Sequence, residues 1–184
     1  HRVEHTESHQ IIEEFMLAGN QAVSTWLDDL GLNHLHRIHP PPDRRKLRQL
    51  SNFVKDLGID AGTVESRFDI QKVLDSVDGT PLEDAVNFAV LKSMNKAIYA
   101  PQLEGHYALD MEHYCHFTSP IRRYPDLTIH RIVGELAAGR KPKIDSMGEL
   151  LQLGKYCSTT ERRAEKAERE LKRIRLLRYL EDKV

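Results

Sequence analysis

The side chains best suited to chemistry lie in one short segment, Thr118–Tyr124, which reads Thr-Ser-Pro-Ile-Arg-Arg-Tyr. The segment combines two hydroxyl groups with the guanidinium groups of Arg122 and Arg123, and Pro125 and Asp126 after it are typical of the first turn of a helix. Arginine offers a fork of N–H donors that fits phosphate oxygens, and the N-terminus of a helix adds positive potential. The segment therefore predicts a phosphate site, while the alternative from composition alone is a capped turn with two solvated arginines.

Two groups of histidine and cysteine residues could suggest a metal site. His5 and His9 lie four residues apart in sequence, and His113, Cys115 and His116 are clustered. Neither group supplies four well-spaced ligands, so we expect structural roles for all of them and assign no metal ligand to this chain.

Magnesium-assisted hydrolysis of a phosphodiester needs several carboxylates that converge on one point. Asp28 and Asp29 are expected on a helix surface. The remaining candidates are scattered singly: Asp43, Asp56, Asp60, Asp69, Asp75 and Asp78. The sequence predicts no magnesium site built from this chain alone.

Length and composition are those of a folded domain. Of the 184 residues 40% are hydrophobic and 30% charged, and the formal net charge of -1 excludes nucleic-acid binding through bulk positive charge but allows a local basic track. No apolar run approaches the roughly 20 residues that cross a bilayer, and the two cysteines, Cys115 and Cys157, are far apart. We therefore expect reduced thiols and a cytoplasmic protein.

The elements that must position Thr118–Tyr124 follow from apolar periodicity and from glycine and proline breakers. The predicted helices are Ser8 to Leu30, about Asp43 to Leu57, Asp69 to Val77, Leu82 to Asn95 with Thr80 as its cap, Pro125 to Leu136, and Met147 to about Asp182. The predicted strands are Leu35 to His39, Ile98 to Pro101 and His106 to Leu109. The fold class is α+β, predominantly helical with a few short strands.

The first and last helices carry apolar residues at helical spacing that should be covered by other elements. On the first helix these are Ile12, Phe15, Met16, Gly19, Val23, Trp26 and Leu30, and on the last they are Ala164, Ala167, Leu171, Ile174 and Leu177. Glu13 and Asn20 lie on one line at the margin of the first stripe and could face a groove. The last helix also has a basic side, which is either a track for a phosphate backbone or a solvated face: Arg162, Lys166, Arg169 and Arg173.

Three stretches together resemble the second half of the catalytic (RNB) domain of the ribonuclease II/ribonuclease R exoribonucleases. They are Ser8–Asn20, Gly105–Leu109, and His116–Leu127 followed by His130-Arg131. Gly19 departs from the family, which usually has alanine there. The stretch Cys157–Lys183 resembles more weakly the helix that closes the domain, and the range 33–95 carries no signature.

The resemblance implies a division of the chain and a longer parent protein. Residues 1–139 would be the C-terminal half of an RNB-type catalytic domain, and residues 140–184 a linker and the closing helix, with the OB-fold RNA-binding domain that follows absent here. The short strands would pair with strands of the missing half. The family's metal-binding aspartates should lie upstream of His1, so Mg2+ would be bound in the full-length parent by ligands outside this chain.

The family hydrolyses single-stranded RNA from its 3′ end to nucleoside 5′-monophosphates, and residue roles carry over where the motifs match. Arg122 matches the arginine beside the scissile phosphate and would stabilise the charge that develops there, so it is the expected catalytic residue. Thr118, Ser119, Arg123 and Tyr124 resemble residues that hold backbone phosphates.

The resemblance assigns RNA contacts to three further residues. Glu13 matches a glutamate near the terminal ribose, where it would accept a hydrogen bond from the 2′-hydroxyl. Asn20 would support Glu13 or the backbone of a neighbouring segment. Glu168 matches a glutamate near the RNA channel, although an ion pair with Lys172 is the simpler account.

Three hypotheses remain open at this point. The first is that the chain is part of a magnesium-dependent exoribonuclease that acts on single-stranded RNA, and that the chain alone is inactive. The second is a non-catalytic RNA-binding or partner-binding relative that has lost the metal site. The third is a purely structural helical scaffold.

Overall fold

The computed structural model describes residues 6–60 and 62–181. Within those residues the chain forms six α-helices and two β-strands, an α+β fold that is predominantly helical, as the sequence predicts. The helices are α1 Glu7–Asp29, α2 Arg44–Asp56, α3 Arg67–Val77, α4 Glu83–Ser93, α5 Tyr124–Ala137 and α6 Met147–Glu181; the strands are β1 His36–Ile38 and β2 Ile98–Ala100. None of these helices is long and apolar enough to cross a membrane.

The chain divides into two compact units, each with its own core. The first unit contains α1, β1, β2, α5 and α6, and its buried apolar centre comprises Leu27, Cys115, Ile129 and Ile132. The second unit spans His39–Ala97 and Glu104–Met111 and contains α2, α3 and α4. The segment Thr118–Tyr124 belongs to the first unit.

The two strands of the first unit pair with each other. They run antiparallel, with His36 opposite Ala100 and Ile38 opposite Ile98. Pairing of these strands with strands of the missing half stays a prediction. Outside the β1–β2 pair, the N–H of Arg37 donates to the carbonyl of Tyr114 and the N–H of Tyr99 donates to Ser158 on α6.

Small residues on α6 allow β2 to approach its backbone. The hydroxyl of Ser158 accepts the N–H of Tyr99 at 2.9 Å and donates to the carbonyl of Gly154, one turn earlier, at 2.8 Å. A Cβ atom on Gly154 would overlap the carbonyl oxygen of Tyr99 and lie 2.9 Å from its carbonyl carbon. Gly154 is therefore required by the distance between this helix and this strand.

The apolar stripe predicted on α1 is not buried in this chain. Phe15 is 72% exposed and Trp26 is 42% exposed, and only Gly19 and Val23 of the stripe are half-buried. The buried residues of α1 lie one position further along the chain than stripe residues: Asn20, Ser24 and Leu27. The prediction that the stripe is covered is therefore wrong, because the helix packs on the core of the first unit through the neighbouring side.

The seam predicted along α6 is also uncovered. Leu171, Ile174 and Leu177 are about half exposed in this chain, at 50%, 47% and 52%. The residues of α6 that are buried lie near its start instead: Leu150, Gly154, Cys157 and Ser158. The C-terminal two-thirds of α6 therefore presents both its basic side and its apolar seam at the surface.

The second unit is a group of three helices around an apolar core. The core residues are Leu47, Leu50, Val54, Val64, Ile70, Val73, Val77, Val86 and Val90. Ser66 begins α3 with a reciprocal cap: its hydroxyl accepts the N–H of Asp69 at 3.2 Å, and the Asp69 carboxylate accepts the N–H of Ser66 at 3.0 Å. This cap and the apolar spacing explain why a region without a recognisable motif still folds.

Two local predictions in the second unit are wrong. His106–Leu109 is not a strand, because Tyr107–Leu109 forms a 3₁₀ turn that Asp110 ends in a left-handed conformation, with φ of 55°. Thr80 is not the N-cap of α4, which begins at Glu83 with Leu82 as its N-cap. The Thr80 hydroxyl donates to the carbonyl of Val77 at the end of α3 at 2.6 Å and accepts the N–H of Leu82 at 3.3 Å in the turn between the two helices.

Candidate nucleic-acid interface

Thr118–Tyr124 is a turn that leads directly into α5. The backbone N–H groups of Arg122 and Arg123 both donate to the carbonyl of Ser119, at 3.3 and 3.1 Å. Pro125 lies in the first turn of α5, as the sequence predicts. The side chain of Arg122 is exposed at this turn, so its guanidinium group is accessible to an anion beside the N-terminus of a helix.

The carboxylate of Asp126 is fully buried and accepts hydrogen bonds from two residues of the turn. Its Oδ1 accepts the backbone N–H of Ser119 at 2.8 Å and the Nη2 donor of Arg123 at 2.7 Å, and its Oδ2 accepts Nε of Arg123 at 2.9 Å. Asp126 is 0% exposed, and its position in the first turn of α5 places the negative charge at the positive end of the helix dipole. The forked ion pair therefore fixes the backbone of the turn.

The two arginines of the turn are thus in different situations. The Arg123 guanidinium is committed to Asp126, and its side chain is only 19% exposed. Arg122 is the exposed member of the pair. The sequence marks both as arginine, and only the fold separates the anchored one from the presented one.

Asn20 on α1 holds the other end of the segment. Its Oδ1 accepts the backbone N–H groups of Phe117 and Thr118, at 2.9 and 3.2 Å, and its Nδ2 donates to the hydroxyl of Tyr114 at 3.1 Å. Asn20 is 3% exposed. Of the two roles expected for it, support for the backbone of a neighbouring segment is the one that its hydrogen bonds show.

Two histidines brace the residues just before the turn. His130 on α5 stacks on the ring of Phe117, with centroids 4.1 Å apart, and its Nε2 lies 2.8 Å from the Phe117 carbonyl oxygen. Nδ1 of His116 lies 2.8 Å from the hydroxyl of Tyr99 on β2. Burial raises the pKa of Tyr99 to about 12, so its hydroxyl remains protonated at neutral pH.

Tyr99 also links this segment to α6, through Arg37. The Arg37 guanidinium carbon lies 4.5 Å from the centre of the Tyr99 ring, and Arg37 donates to both carboxylate oxygens of Glu161 on α6, at 2.8 and 3.1 Å. A bidentate pair of this kind fixes orientation as well as distance. The residues that support the segment before the turn therefore come from β1, β2, α5 and α6.

The other predicted site residues lie on surfaces around this core. Glu13 is exposed on α1, two helical turns from Asn20, or about 10 Å along the axis. Tyr124 is half exposed, and the Arg131 guanidinium lies 5.9 Å from its ring centre. Glu168 is exposed on α6 and pairs with Lys172 at 2.6 Å, the intrahelical ion pair that sequence reasoning named as the simpler account.

The clustered histidine and cysteine residues do not share one site. His113 bonds to Asp28, His116 faces Tyr99, and the Cys115 thiol donates to the carbonyl of Asn20 at 3.4 Å. Burial raises the pKa of Cys115 to about 12, so it remains a thiol. His5 lies outside the described residues.

Among the described residues, one group of side chains is placed closely enough to hold a metal ion: Asp28, His34 and His36. Asp28 is not on a plain helix surface as expected, since His36 and His113 both bond to its carboxylate. Partial burial alone would raise the pKa of Asp28, but the hydrogen bonds from His113 and His36 outweigh it and hold that pKa below its usual value. Two imidazoles with one carboxylate do not fit Mg2+, which prefers oxygen ligands.

Sequence reasoning missed the anchoring roles of Asp126 and His130. The sequence marks Asp126 only as a residue typical of the first turn of a helix and does not predict that its side chain is buried. An available signal was its position directly after Tyr124-Pro125, where a first-turn carboxylate can reach back to the residues before the helix. The four-residue spacing of Asp126 and His130 puts both on the same side of α5.

The sequence profile of the RNB domain matches residues 1–139, three quarters of the chain. The chain belongs to the RNB domain family. The resemblance inferred from the motifs around Asn20 and Arg122 is therefore confirmed.

Named relatives of this RNB chain are ribonucleases R. The protein from Aquifex aeolicus is 35% identical over 181 residues, which cover 96% of this chain and 26% of that protein. A solved structure of Mycoplasma genitalium RNase R in complex with ribose-methylated single-stranded RNA matches with a TM-score of 0.78 and 26% identity, over 91% of this chain and 28% of that one. The chain thus spans about a quarter of the length of the relatives it matches.

The RNB fold is also found in a protein without nuclease function. The yeast protein Ssd1, described as a pseudonuclease, matches with a TM-score of 0.71 and 24% identity, over 84% of this chain and 20% of that one. At this identity the likeness concerns the fold alone.

Proposed function

We propose that this chain is part of a 3′-to-5′ exoribonuclease that hydrolyses single-stranded RNA to nucleoside 5′-monophosphates. In this proposal the chain supplies Arg122 and part of the RNA channel. Glu13, Asn20, Thr118, Ser119, Arg123, Tyr124 and Glu168 contribute to binding RNA or to shaping its path. The parent acts in the cytoplasm.

The observation that carries the proposal is the contrast between the two arginines of the turn. Asp126 and Asn20 fix the backbone on either side, while the Arg122 guanidinium is exposed beside the start of α5. A preorganised donor of this kind stabilises charge that develops on a phosphate without reorganisation at the moment of reaction. Arg122 would therefore bind the scissile phosphate more strongly in the transition state than in the ground state.

Arg123 and Asn20 act in this proposal as positioning residues. Asp126 accepts the backbone N–H of Ser119 and two of the five guanidinium N–H groups of Arg123. Because the Arg123 side chain is also only 19% exposed, its main effect on phosphate binding passes through the geometry of the turn. Asn20 acts in the same way through the backbone of Phe117 and Thr118. Glu13, on the same line of α1, is exposed where a ribose hydroxyl could reach it.

Magnesium is assigned to residues that are not in this chain. The one ligand group among the described residues is rich in nitrogen and unsuited to Mg2+. The proposal accordingly includes no step at a metal that these residues hold, and it predicts that the parent's Mg2+ ligands are carboxylates elsewhere in its sequence.

The full-length protein with Arg122→Ala tests the proposal. Loss of one preorganised donor to a developing charge lowers kcat roughly 10²- to 10³-fold, with a smaller change in KM for a single-stranded RNA. Arg122→Lys should recover only part of the loss, because lysine lacks the planar fork. The measurement is release of nucleoside 5′-monophosphates from 3′-tailed RNA under single-turnover conditions.

Arg140→Ala is the matched control for charge. Arg140 is an exposed arginine paired with Glu135 just beyond the end of α5, away from the turn. Its removal should leave kcat unchanged. Equal losses for the two variants, or no loss for Arg122→Ala, would contradict the catalytic role.

A non-catalytic RNA-binding parent is the second candidate, with the same fold but without a functional metal site. It predicts that the full-length protein binds single-stranded RNA without releasing nucleotides at any Mg2+ concentration. In that case Arg122→Ala would weaken RNA binding and leave no turnover to compare.

A further inference from the structure

A cluster of three side chains joins the end of α1 to β1, apart from the turn at Arg122. Nε2 of His36 lies 3.1 Å from each carboxylate oxygen of Asp28, and Nδ1 of His34 lies 3.8 Å from Oδ1. The rings of His34 and His36 are 4.2 Å apart between centroids. One ligand atom from each residue can be chosen so that all lie within 4.8 Å of one another.

These separations are close to those of a tetrahedral zinc site. Zinc bonds to histidine nitrogen and carboxylate oxygen are about 2.0–2.1 Å long, so neighbouring ligand atoms of a tetrahedron lie roughly 3.4 Å apart. The measured distances of 3.1 and 3.8 Å fall on either side of that value. Small side-chain rotations would bring the three atoms to equal distances from one point.

Groups around the cluster orient two of the three ligands. Nδ1 of His113 lies 2.7 Å from Oδ2 of Asp28, which leaves Oδ1 to face the two other imidazoles. Nδ1 of His34 lies 3.0 Å from the carbonyl oxygen of Leu32, a hydrogen bond that metal binding at Nδ1 would replace. Nε2 of His34 lies 3.4 Å from the hydroxyl of Ser24 and would carry the ring proton in the metal-bound form. Outer partners of this kind fix the ring tautomer and the carboxylate direction in metal sites.

The two histidines of the cluster are buried and its carboxylate is mostly buried, unlike the side chains of a solvated surface. His34 and His36 are 1% and 3% exposed, and the Asp28 side chain is 18% exposed. Nδ1 of His36 is buried without a hydrogen-bond partner among the described residues. Metal binding through Nε2 would leave a proton on that Nδ1, which weakens affinity by roughly ten- to a hundredfold. Three protein ligands leave the fourth position of a zinc site to water, so we expect weaker binding than at a structural site with four protein ligands.

We propose that Asp28, His34 and His36 bind a divalent ion of the zinc class, with His113 orienting the carboxylate. Two imidazole nitrogens and one carboxylate oxygen suit Zn2+ or Co2+ and not Mg2+. The ion would clamp the end of α1 to β1 and stabilise the first unit. This site does not depend on the proposed nuclease function.

Titration of the metal-free 184-residue chain, without a histidine tag, tests the site. Zn2+ should bind with one equivalent at a dissociation constant on the order of 1 µM, and it should raise the melting temperature. Co2+ should give the visible d–d bands of a four- or five-coordinate site, and Zn2+ should displace them. Absence of binding to the folded chain at about 100 µM Zn2+ would overturn the proposal.

Variants locate the ion. Asp28→Asn and His34→Gln each alter a metal ligand. Each should weaken Zn2+ binding more than about tenfold, because loss of a residue that only orients a ligand already weakens binding by that much. Asp29→Asn, the exposed carboxylate next in sequence, is the matched control and should bind Zn2+ normally. The double variant His5→Ala/His9→Ala should also bind normally, and loss of the site in this variant would place the ion at the N-terminus and refute the proposal.

If a variant of the cluster does not fold, anomalous scattering at the zinc absorption edge can locate the ion in the unaltered chain. A crystal of the unaltered chain grown with Zn2+ should show a peak between Asp28, His34 and His36. A peak elsewhere, or none, would contradict the site.

Discussion

Asp126 shows how one residue can determine the shape of a site that it does not enter. It is fully buried, and its carboxylate accepts N–H groups from both Ser119 and Arg123. A buried ion pair adds little net stability, but removing one partner leaves an uncompensated charge. The function of this pair is therefore to fix the position of the turn that carries Arg122.

Asp126→Ala should destabilise the chain by about 3–5 kcal/mol, because the Arg123 guanidinium loses its counter-charge and Ser119 loses its acceptor. The measurement is the free energy of unfolding in urea. Glu135→Ala is the matched control, since Glu135 forms an exposed pair with Arg140, and its loss should cost less than about 1 kcal/mol. Equal effects for the two variants would show that the Asp126 pair is not buried as described.

The sequence predicted the correct segment, but not which of its two arginines is bound to Asp126 and which is exposed. The motif identified Arg122 and Arg123 together, and spacing could not tell which of them is committed to Asp126. The burial of Asp126 depends on how the first unit packs around the start of α5, which no local pattern encodes. Asn20 was foreseen as a supporting residue, and its hydrogen bonds to Phe117 and Thr118 identify what it supports.

Among the elements, α1 and α6 each contain a glycine with a different reason for its presence. A Cβ on Gly19 would lie 3.7 Å from Cγ2 of Thr118, which is an ordinary van der Waals contact. A Cβ on Gly154 would overlap the backbone of Tyr99 on the adjacent strand. The first glycine is therefore replaceable, and the second is required by the packing of α6 on β2.

Gly19→Ala should stabilise the chain by about 0.5–1 kcal/mol, because alanine is the better residue in a helix interior and space is available. Gly154→Ala should destabilise it by about 1–3 kcal/mol or more, because the strand must move away from the helix. Thermal unfolding of the two variants beside the unaltered chain measures both. A stable Gly154→Ala chain would contradict the close approach of α6 to β2.

Long periodic elements were predictable, and short or context-dependent ones were not. The six helices appear where apolar spacing and the glycine and proline breakers place them, and β1 and β2 lie within their predicted segments. The strand predicted at His106–Leu109 fails because Asp110 turns the chain in a left-handed conformation. The sequence also missed the group at Asp28, although His34 and His36 alternate in a strand-like segment and so share one face.

At the scale of the whole molecule, large apolar side chains are exposed on α1 and α6. They include Ile11, Ile12, Phe15, Leu171, Ile174 and Leu176. Several large exposed apolar side chains on the same helix are characteristic of an interface. Because the chain spans about a quarter of its relatives' length, we expect other parts of a longer protein to cover the α1 face.

Phe15→Ala tests that expectation by comparing two lengths of chain. Phe15 is 72% exposed here, so the substitution should change the free energy of unfolding of this chain by less than about 0.5 kcal/mol. In the full-length protein, where the face is covered, the same change should cost about 3–5 kcal/mol. Equal small effects in both would indicate that α1 faces solvent throughout.

If this chain is one part of an exoribonuclease whose metal ligands lie elsewhere, only the full-length protein should release nucleotides. Single-stranded RNA labelled at its 5′ end, and in a parallel sample along its whole length, is incubated with Mg2+ and either the full-length protein or the 184-residue chain. The full-length protein should shorten the 5′-labelled RNA from its 3′ end and release labelled nucleoside 5′-monophosphates from the uniformly labelled RNA, while the chain alone should release none. Magnesium-dependent release by the chain alone, or none by the full-length protein, would contradict this division of the metal site from the chain.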